Sequence, residues 1–367
     1  MKLWQKTIKR FIRENIVIAL LMVLVSLFNT PLLFQNSVSF SAQADSALAD
    51  TQKYAEGKGE CVMEVDSKRV LYASHSDAAL PMASTTKIAT AITVLELCEN
   101  LQETVVIPEK AVGVEGSSIY LKAGEKFTVE ELLYGLMLRS GNDAATALAL
   151  HCCGSMEDFC RQMNLTAQKA GALTSRFNNP HGLPCKGHYT TANDLCLITC
   201  YAMKNDTFRK IVSTKFYEPK HWKNKNKILS LAQGGIGVKT GYTKEAGRCL
   251  VAAIERDGMT LVSCVLNCPT TYERSMQLLN DAFAAYKKVE LLQENEVFII
   301  ENGKKGVKGV AKSGFSYPLL AEEIEWIEKR VKTLPQYFKK AKVQEIVGQI
   351  EIYLSKQLLF LGNLYKL

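Results

Sequence analysis

The ten residues 81–90, Pro-Met-Ala-Ser-Thr-Thr-Lys-Ile-Ala-Thr, constrain this chain more than any other stretch. They set Ser84 and Lys87 three residues apart, where Ile88, Ala91, Ile92, Leu95 and Cys98 begin to recur at helical spacing. The pattern predicts a buried helix running to about residue 99. Residues i and i+3 of a helix share a face, so Lys87 can stand beside the Ser84 hydroxyl. A serine is a weak nucleophile at its free pKa and needs a base within hydrogen-bond reach. Burial and cationic neighbours lower a lysine pKa far enough to make it that base. Ser-x-x-Lys also arises by chance on core helices, so the reading gains weight only if the chain supplies the rest of a site.

The N-terminus says where such a site works. Lys2, Lys6, Lys9, Arg10 and Arg13 precede an apolar run at 16–28, and Ala42-Gln43-Ala44 offers small residues for cleavage. That is the layout of a secretory signal peptide over residues 1–44. The run is short for a spanning helix, which needs about 20 residues; an uncleaved anchor reaching to residue 34 is the alternative. The protein is therefore expected to be exported and extracytoplasmic, secreted or associated with the membrane. The segment holds five basic residues and one acidic, so its loss takes the formal charge from +8 to +4. No basic stripe calls for nucleic acid, and a mild positive charge suits an anionic cell-envelope surface. Eleven cysteines are many for an exported chain, and an odd number cannot all pair within it. Several fall at helical spacing in apolar segments, which fits small buried hydrophobes better than a disulfide framework. A zinc site from His151, Cys152, Cys153 and Cys160 lacks a Cys-x-x-Cys pair, and adjacent helical ligands diverge. No metal and no cofactor is expected.

Along the chain, alternation over 55–72 predicts a β-hairpin. A short strand follows at 105–108, and a helix at 129–138 behind a Thr128 cap. Ser140-Gly141-Asn142 then sits in a tight turn between that helix and the next, with Gly141 supplying unusual backbone angles and Asn142 or Asp143 capping. Helices are expected at 156–170 and 193–203, the latter capped by Thr190-Thr191. Residues 228–232 read as a strand end, 234–243 as a glycine-rich edge strand, and 249–256 and 260–267 as two strands about a turn at Gly258. A helix at 271–288 closes this region. Beyond it the pattern turns strand-like at 297–300, 306–310, 316–320 and 346–354, with a highly charged stretch at 322–340. The organisation read from this is a signal segment 1–44, a main domain 45–288 and a small β-rich domain 289–367.

Three short strings now stand in one chain and one order: Ser84-Thr-Thr-Lys87, Ser140-Gly-Asn142 and Lys239-Thr-Gly241. Each is common alone; together, at a helix start, an inter-helix turn and an edge strand, they are not. With residues 83–88, 138–143, 177–183 and 239–243, and with Ala246-Gly247, the chain resembles the low-molecular-mass penicillin-binding proteins, the serine-type D-alanyl-D-alanine carboxypeptidases. The likeness covers roughly residues 50–288, and the β-rich tail resembles that family's C-terminal domain.

The resemblance implies an α+β fold of the β-lactamase/transpeptidase type, a five-stranded antiparallel sheet with helices on both faces. It implies a peptidoglycan stem peptide ending in D-Ala-D-Ala as substrate and β-lactam antibiotics as acylating ligands. Ser84 attacks the penultimate D-Ala carbonyl, Lys87 takes its proton, and Ser140, hydrogen-bonded between Lys87 and Lys239, relays that proton to the leaving amine. Asn142 orients substrate and Lys87; Lys239 and Thr240 suit the terminal carboxylate. Gly241 permits close approach, and the N–H groups of Ser84 and Tyr242 form the oxyanion hole. An extended peptide can add alongside an edge strand. Arg248 assists the carboxylate or makes a surface ion pair. His181 and His188 suggest a Ser-His pair, but no Gly-x-Ser-x-Gly elbow accompanies them, and a structural place for His181 fits better. The rivals are a β-lactamase, for which no Glu-x-x-Leu-Asn string occurs between Ser140 and Lys239, and a peptidoglycan transpeptidase or endopeptidase using the same serine.

Overall fold

Residues 249–254 and 259–266 are apolar at nearly every position, and the structure shows why. A computed structural model describes residues 55–302, 305–334 and 341–367, all within one unit of the chain, Leu48–Leu367. The leader 1–44 and part of the charged stretch, 335–340, lie outside the described residues. Five strands form an antiparallel sheet: β1 (Gly59–Glu64), β2 (Val70–Ser74), β3 (Gly235–Thr243), β4 (Gly247–Arg256) and β5 (Met259–Leu266). Their order is β2-β1-β5-β4-β3, which leaves β3 on an edge.

Side chains alternate across a strand. Cys249, Val251 and Ala253 of β4, with Val262, Cys264 and Leu266 of β5, enter a large helical core. Leu250, Ala252 and Ile254, with Leu261 and Val265, enter a second core on the opposite face. A sheet covered on both sides has no polar face, hence the continuous apolar runs. The second face is covered by a helix at Thr271–Ala285, which supplies Leu278, Leu279 and Ala282.

On the first face lie α1 (Lys87–Leu97), α2 (Val129–Tyr134), α3 (Asn142–Cys153), α4 (Met156–Ala170), α5 (Ala192–Met203) and α6 (Asp206–Ser213). Thr128 and Glu131 close a capping box at the start of α2. Thr191 caps α5 by accepting from the Asp194 N–H. α2 runs on as a π-helical turn, Gly135–Arg139, into Ser140. Residues 228–231 depart from the expected strand end: they form one helical turn, Ile228–Leu231, whose first N–H is held by the Asn226 side chain.

The closing helix, α7 (Thr271–Ala285), stops three residues short of the expected end, and β6 (Lys287–Leu292) follows at once, paired with β9 (Phe315–Leu319). The second five-stranded antiparallel sheet contains β7 (Val297–Asn302), β8 (Lys305–Ala311), β10 (Ile327–Thr333), β11 (Ile346–Leu354) and β12 (Gln357–Lys366), in the order β7-β8-β12-β11-β10. It packs Ile300, Val347, Ile350, Ile352 and Leu364 into a third core. Among the described residues no helix is long and apolar enough to cross a membrane.

Candidate active site

Ser84 lies in a 3-10 turn, Ala83–Thr86, that feeds directly into α1. The turn is held by its own threonines: the Thr85 hydroxyl donates to Met82 O at 2.6 Å and the Thr86 hydroxyl to Ala83 O at 2.8 Å. Ala83 adopts a φ of +49°, in a left-handed region that costs a residue with a Cβ about 1–2 kcal/mol. The neighbouring chain fixes it there. Gly182 lies so close that a Cβ on it would meet Ala83 O at 1.9 Å. Only glycine lets that loop pack under the nucleophile.

The base candidate sits one turn on. Lys87 is fully buried, with its Nζ 3.0 Å from Ser84 Oγ, 2.6 Å from Asn142 Oδ1 and 2.6 Å from His181 O. None of the three partners is charged. Burial first, and then the nearby Lys239 charge, hold its pKa well below the ordinary lysine value. Two of its contacts are carbonyl oxygens, which only accept. A neutral amine has two N–H groups for them and one lone pair left, in the third direction, toward Ser84 Oγ.

The second string is arranged differently from expectation in two respects. The positive φ belongs to Ser140, at +67°, while Gly141 sits at −59°. Gly141 is instead required by space, since a Cβ there would lie 2.8 Å from Asp143 Oδ1. Among the described residues the buried Ser140 hydroxyl makes no hydrogen bond to Lys87 or Lys239; Asn142 holds Lys87 instead. Asn142 opens α3, and its amide donates to Glu115 O while its oxygen accepts from Lys87. Asp143, read as a possible cap, clamps the preceding loop: its carboxylate accepts from Ser118 Oγ and from the Ile119 and Leu121 N–H groups.

The third string runs along the edge strand β3. Lys239 is 2% exposed, and its Nζ donates to Thr240 O at 3.0 Å. Burial, and then the Lys225 charge, bring its pKa down to about 7. A Cβ on Gly241 would lie 3.1 Å from Ser84 N and 2.9 Å from Met82 O. β3 thus passes directly over the nucleophile turn. Thr240 is half-buried beside it, and Tyr242 stands 66% exposed opposite Arg248 on β4. Arg248 is exposed and makes no ion pair among the described residues.

The loop 177–183 supplies what the sequence did not advertise. His181 contributes its main-chain oxygen to Lys87, a group that no residue type signals. Its ring accepts from the Leu183 N–H, and burial, with the Lys87 and His188 charges, pushes its pKa down to about 3. His188 accepts from the Asn178 N–H through Nδ1 and so donates to Thr86 Oγ1 through Nε2, at 3.0 Å each. Neither ring hydrogen-bonds to Ser84; His188 braces the turn through Thr86, and the His181 ring holds its own loop. Among the described residues no cluster of three or more His, Cys, Asp or Glu side chains is placed to hold a metal.

The sequence profile of peptidase family S11, the D-alanyl-D-alanine carboxypeptidases, matches residues 46–270. The chain belongs to that family. It is 32% identical to the D-alanyl-D-alanine carboxypeptidase DacF of Bacillus subtilis over 307 residues, covering 80% of this chain and 78% of that one. It is 36% identical to a D-alanyl-D-alanine carboxypeptidase of a Streptomyces species, strain K15, over 66% of this chain and 92% of the relative. Among solved structures, penicillin binding protein 5 from Haemophilus influenzae superposes with a TM-score of 0.70 at 24% identity, over 85% of this chain and 97% of that one. That last likeness speaks for the fold, which is the expected one, with its β-rich C-terminal region. Membership of family S11 makes the chain a serine hydrolase.

Proposed function

We propose that this chain is a serine D-alanyl-D-alanine carboxypeptidase that removes the terminal D-Ala of peptidoglycan stem peptides through an acyl-enzyme on Ser84. The observation that carries the reading is Lys87: a buried amine with two carbonyl acceptors and its remaining direction toward Ser84 Oγ. Neutral Lys87 takes the serine proton as Oγ bonds to the penultimate D-Ala carbonyl carbon. The developing oxyanion takes the Ser84 and Tyr242 N–H groups; loss of one such donor typically costs about 2.7–4 kcal/mol of barrier. The D-Ala–D-Ala C–N bond then breaks, and the leaving amine needs the proton back. Ser140 is the proposed carrier. Lys239 and Thr240 receive the terminal carboxylate, and water releases the shortened peptide.

Penicillin presents a strained amide to the same serine, so we also propose that Ser84 is acylated by β-lactams. Work on stem peptides requires export, in keeping with the basic and apolar leader at 1–44. Contact with the anionic envelope surface belongs to the same reading.

Incubation with a pentapeptide ending in D-Ala-D-Ala tests the proposal. Free D-Ala with the tetrapeptide is expected; a cross-linked product in its place would make the chain a transpeptidase. In Ser84→Ala, D-Ala release is expected to fall by about 10⁴-fold or more, with no fluorescent-penicillin label. A labelled Ser84→Ala protein would move the nucleophile elsewhere.

A further inference from the structure

Lys87 and Asn142 open two neighbouring helices and are hydrogen-bonded to each other. At the other ends of the same helices a second pair meets. Cys98 is the C-terminal cap of α1, eleven residues on from Lys87, and Cys152 lies in the last turn of α3, ten residues on from Asn142. Their sulfurs are 3.2 Å apart. At 1.5 Å per residue this contact sits about 15 Å along the helices from the Lys87–Asn142 end. A disulfide bond of about 2.05 Å requires the sulfurs to close by roughly 1.2 Å, a side-chain adjustment at two helix ends.

Surroundings separate this pair from the other thiols. Cys61, Cys160, Cys196, Cys200, Cys249, Cys264 and Cys268 are buried, out of reach of a dissolved oxidant, and Cys185 is exposed on its own loop. Cys98 and Cys152 are half-buried, so a small reagent can reach them. Their mutual contact, in which either thiol can donate, lowers the pKa of Cys98, whereas contact and burial raise that of Cys152. A proton shared across this 3.2 Å contact lets one sulfur attack as the thiolate while the other stays protonated to resolve. Cys153, on the next position of α3, is the nearest competitor.

We propose that Cys98 and Cys152 form an oxidisable dithiol that accepts a low-molecular-mass disulfide as oxidant and closes into a bond tying the far ends of the Lys87 and Asn142 helices. The Cys98 thiolate attacks one sulfur of the oxidant RS–SR, forming a mixed disulfide and expelling RS⁻. Cys152 loses its proton and attacks the Cys98 sulfur, expelling the second RS⁻. Two protein thiols are oxidised, one external disulfide is reduced, and two RSH leave once protonated. The site is independent of the carboxypeptidase reading, since neither cysteine touches Ser84, Ser140 or Lys239.

The test treats the full chain with oxidised glutathione and maps its peptides without reduction. The expected product links the tryptic peptide 88–110 to peptide 140–161 with loss of two hydrogens and no glutathione retained. The link is expected to survive Cys153→Ser and to vanish in Cys98→Ser and in Cys152→Ser, with Cys98 of the latter carrying glutathione. Closing the loop is expected to raise Tm by roughly 5–10 °C over the reduced protein. A link that disappears in Cys153→Ser, a stable glutathione adduct on wild-type Cys98, or a Cys98 that stays reduced would each overturn the proposal. Thermal melts of each variant establish that it is folded before mapping.

Discussion

Two buried cationic sites lie on opposite faces of the catalytic sheet, and they are built in opposite ways. On one face Arg274, 1% exposed on α7, donates to the Glu60 carboxylate at 2.7 and 3.0 Å and to Tyr72 OH at 2.8 Å. Glu60 also takes the Gly57 N–H, so its charge is matched by fixed donors. On the other face Lys87 and Lys239 are as deeply buried, but among the described residues neither has a carboxylate partner. The first arrangement stabilises a charge inside the protein. The second leaves two amines that lose their protons readily. A buried cation with a counter-ion serves the fold, and one held only by neutral acceptors serves chemistry.

The largest expected effect breaks the unpaired side. Lys87→Arg keeps the positive charge but removes a proton acceptor, because guanidinium does not deprotonate. The rate of penicillin acylation is expected to fall about 100- to 10,000-fold. An arginine variant acylating at the wild-type rate would remove Lys87 from the role of base.

Glu60→Gln breaks the paired side and strands Arg274. Unfolding in urea is expected to report a loss of about 3–5 kcal/mol. Acylation of the protein that remains folded is expected to match wild type, which separates stability from chemistry.

Lys239→Met is expected to move stability in the other direction, by on the order of 1 kcal/mol in favour of the variant at neutral pH, while acylation declines. The sign follows from proton binding. The folded-state pKa, about 7, lies below the ordinary 10.5, so between them the unfolded chain holds more protons. Wild-type stability therefore rises with pH through that window, and the advantage of the variant shrinks from about pH 7 to pH 10.5. A gap constant over that range would mean that Lys239 stays charged.

The smallest effect serves as a baseline. Ile299 on β7 is 70% exposed, and Ile299→Ser is expected to change stability by no more than about 0.5 kcal/mol and acylation not at all.

The parts of this arrangement that depend on residue type were legible in the sequence. Ser84, Lys87 and Lys239 are named by their chemistry, and the first two also by the apolar period of α1 that fixes them; β3 lies on the edge that its glycine-rich sequence suggested. Parts that depend on backbone atoms were not. His181 O and Glu115 O are acceptors that any residue presents, so nothing in the sequence marks them as partners of Lys87 and Asn142. The same blindness hid the left-handed turn at Ser140, where glycine next door was the natural suspect. The four-residue helix Ile228–Leu231 was misread because one turn is too short to display a period of 3.6. Helix α6 escaped notice although Asn205 caps it and Phe208, Ile211 and Val212 line its buried face.

The edge strand β3 has a further consequence. A free sheet edge is a template on which any extended chain can settle, including another copy of the same protein. The other sheet guards its edge at β10 with Glu328, Lys329, Arg330 and Lys332, all exposed. The first half of β3 is covered, since a Cβ on Gly235 would meet Ile228 O at 2.3 Å and one on Gly237 would meet the Val212 side chain at 3.1 Å; from Thr240 to Thr243 the strand carries no charged side chain. Charging that edge would discourage self-assembly and would close the lane to peptides as well. The same uncharged stretch that can receive a peptide is therefore the part of the sheet edge least protected against a second copy of the chain.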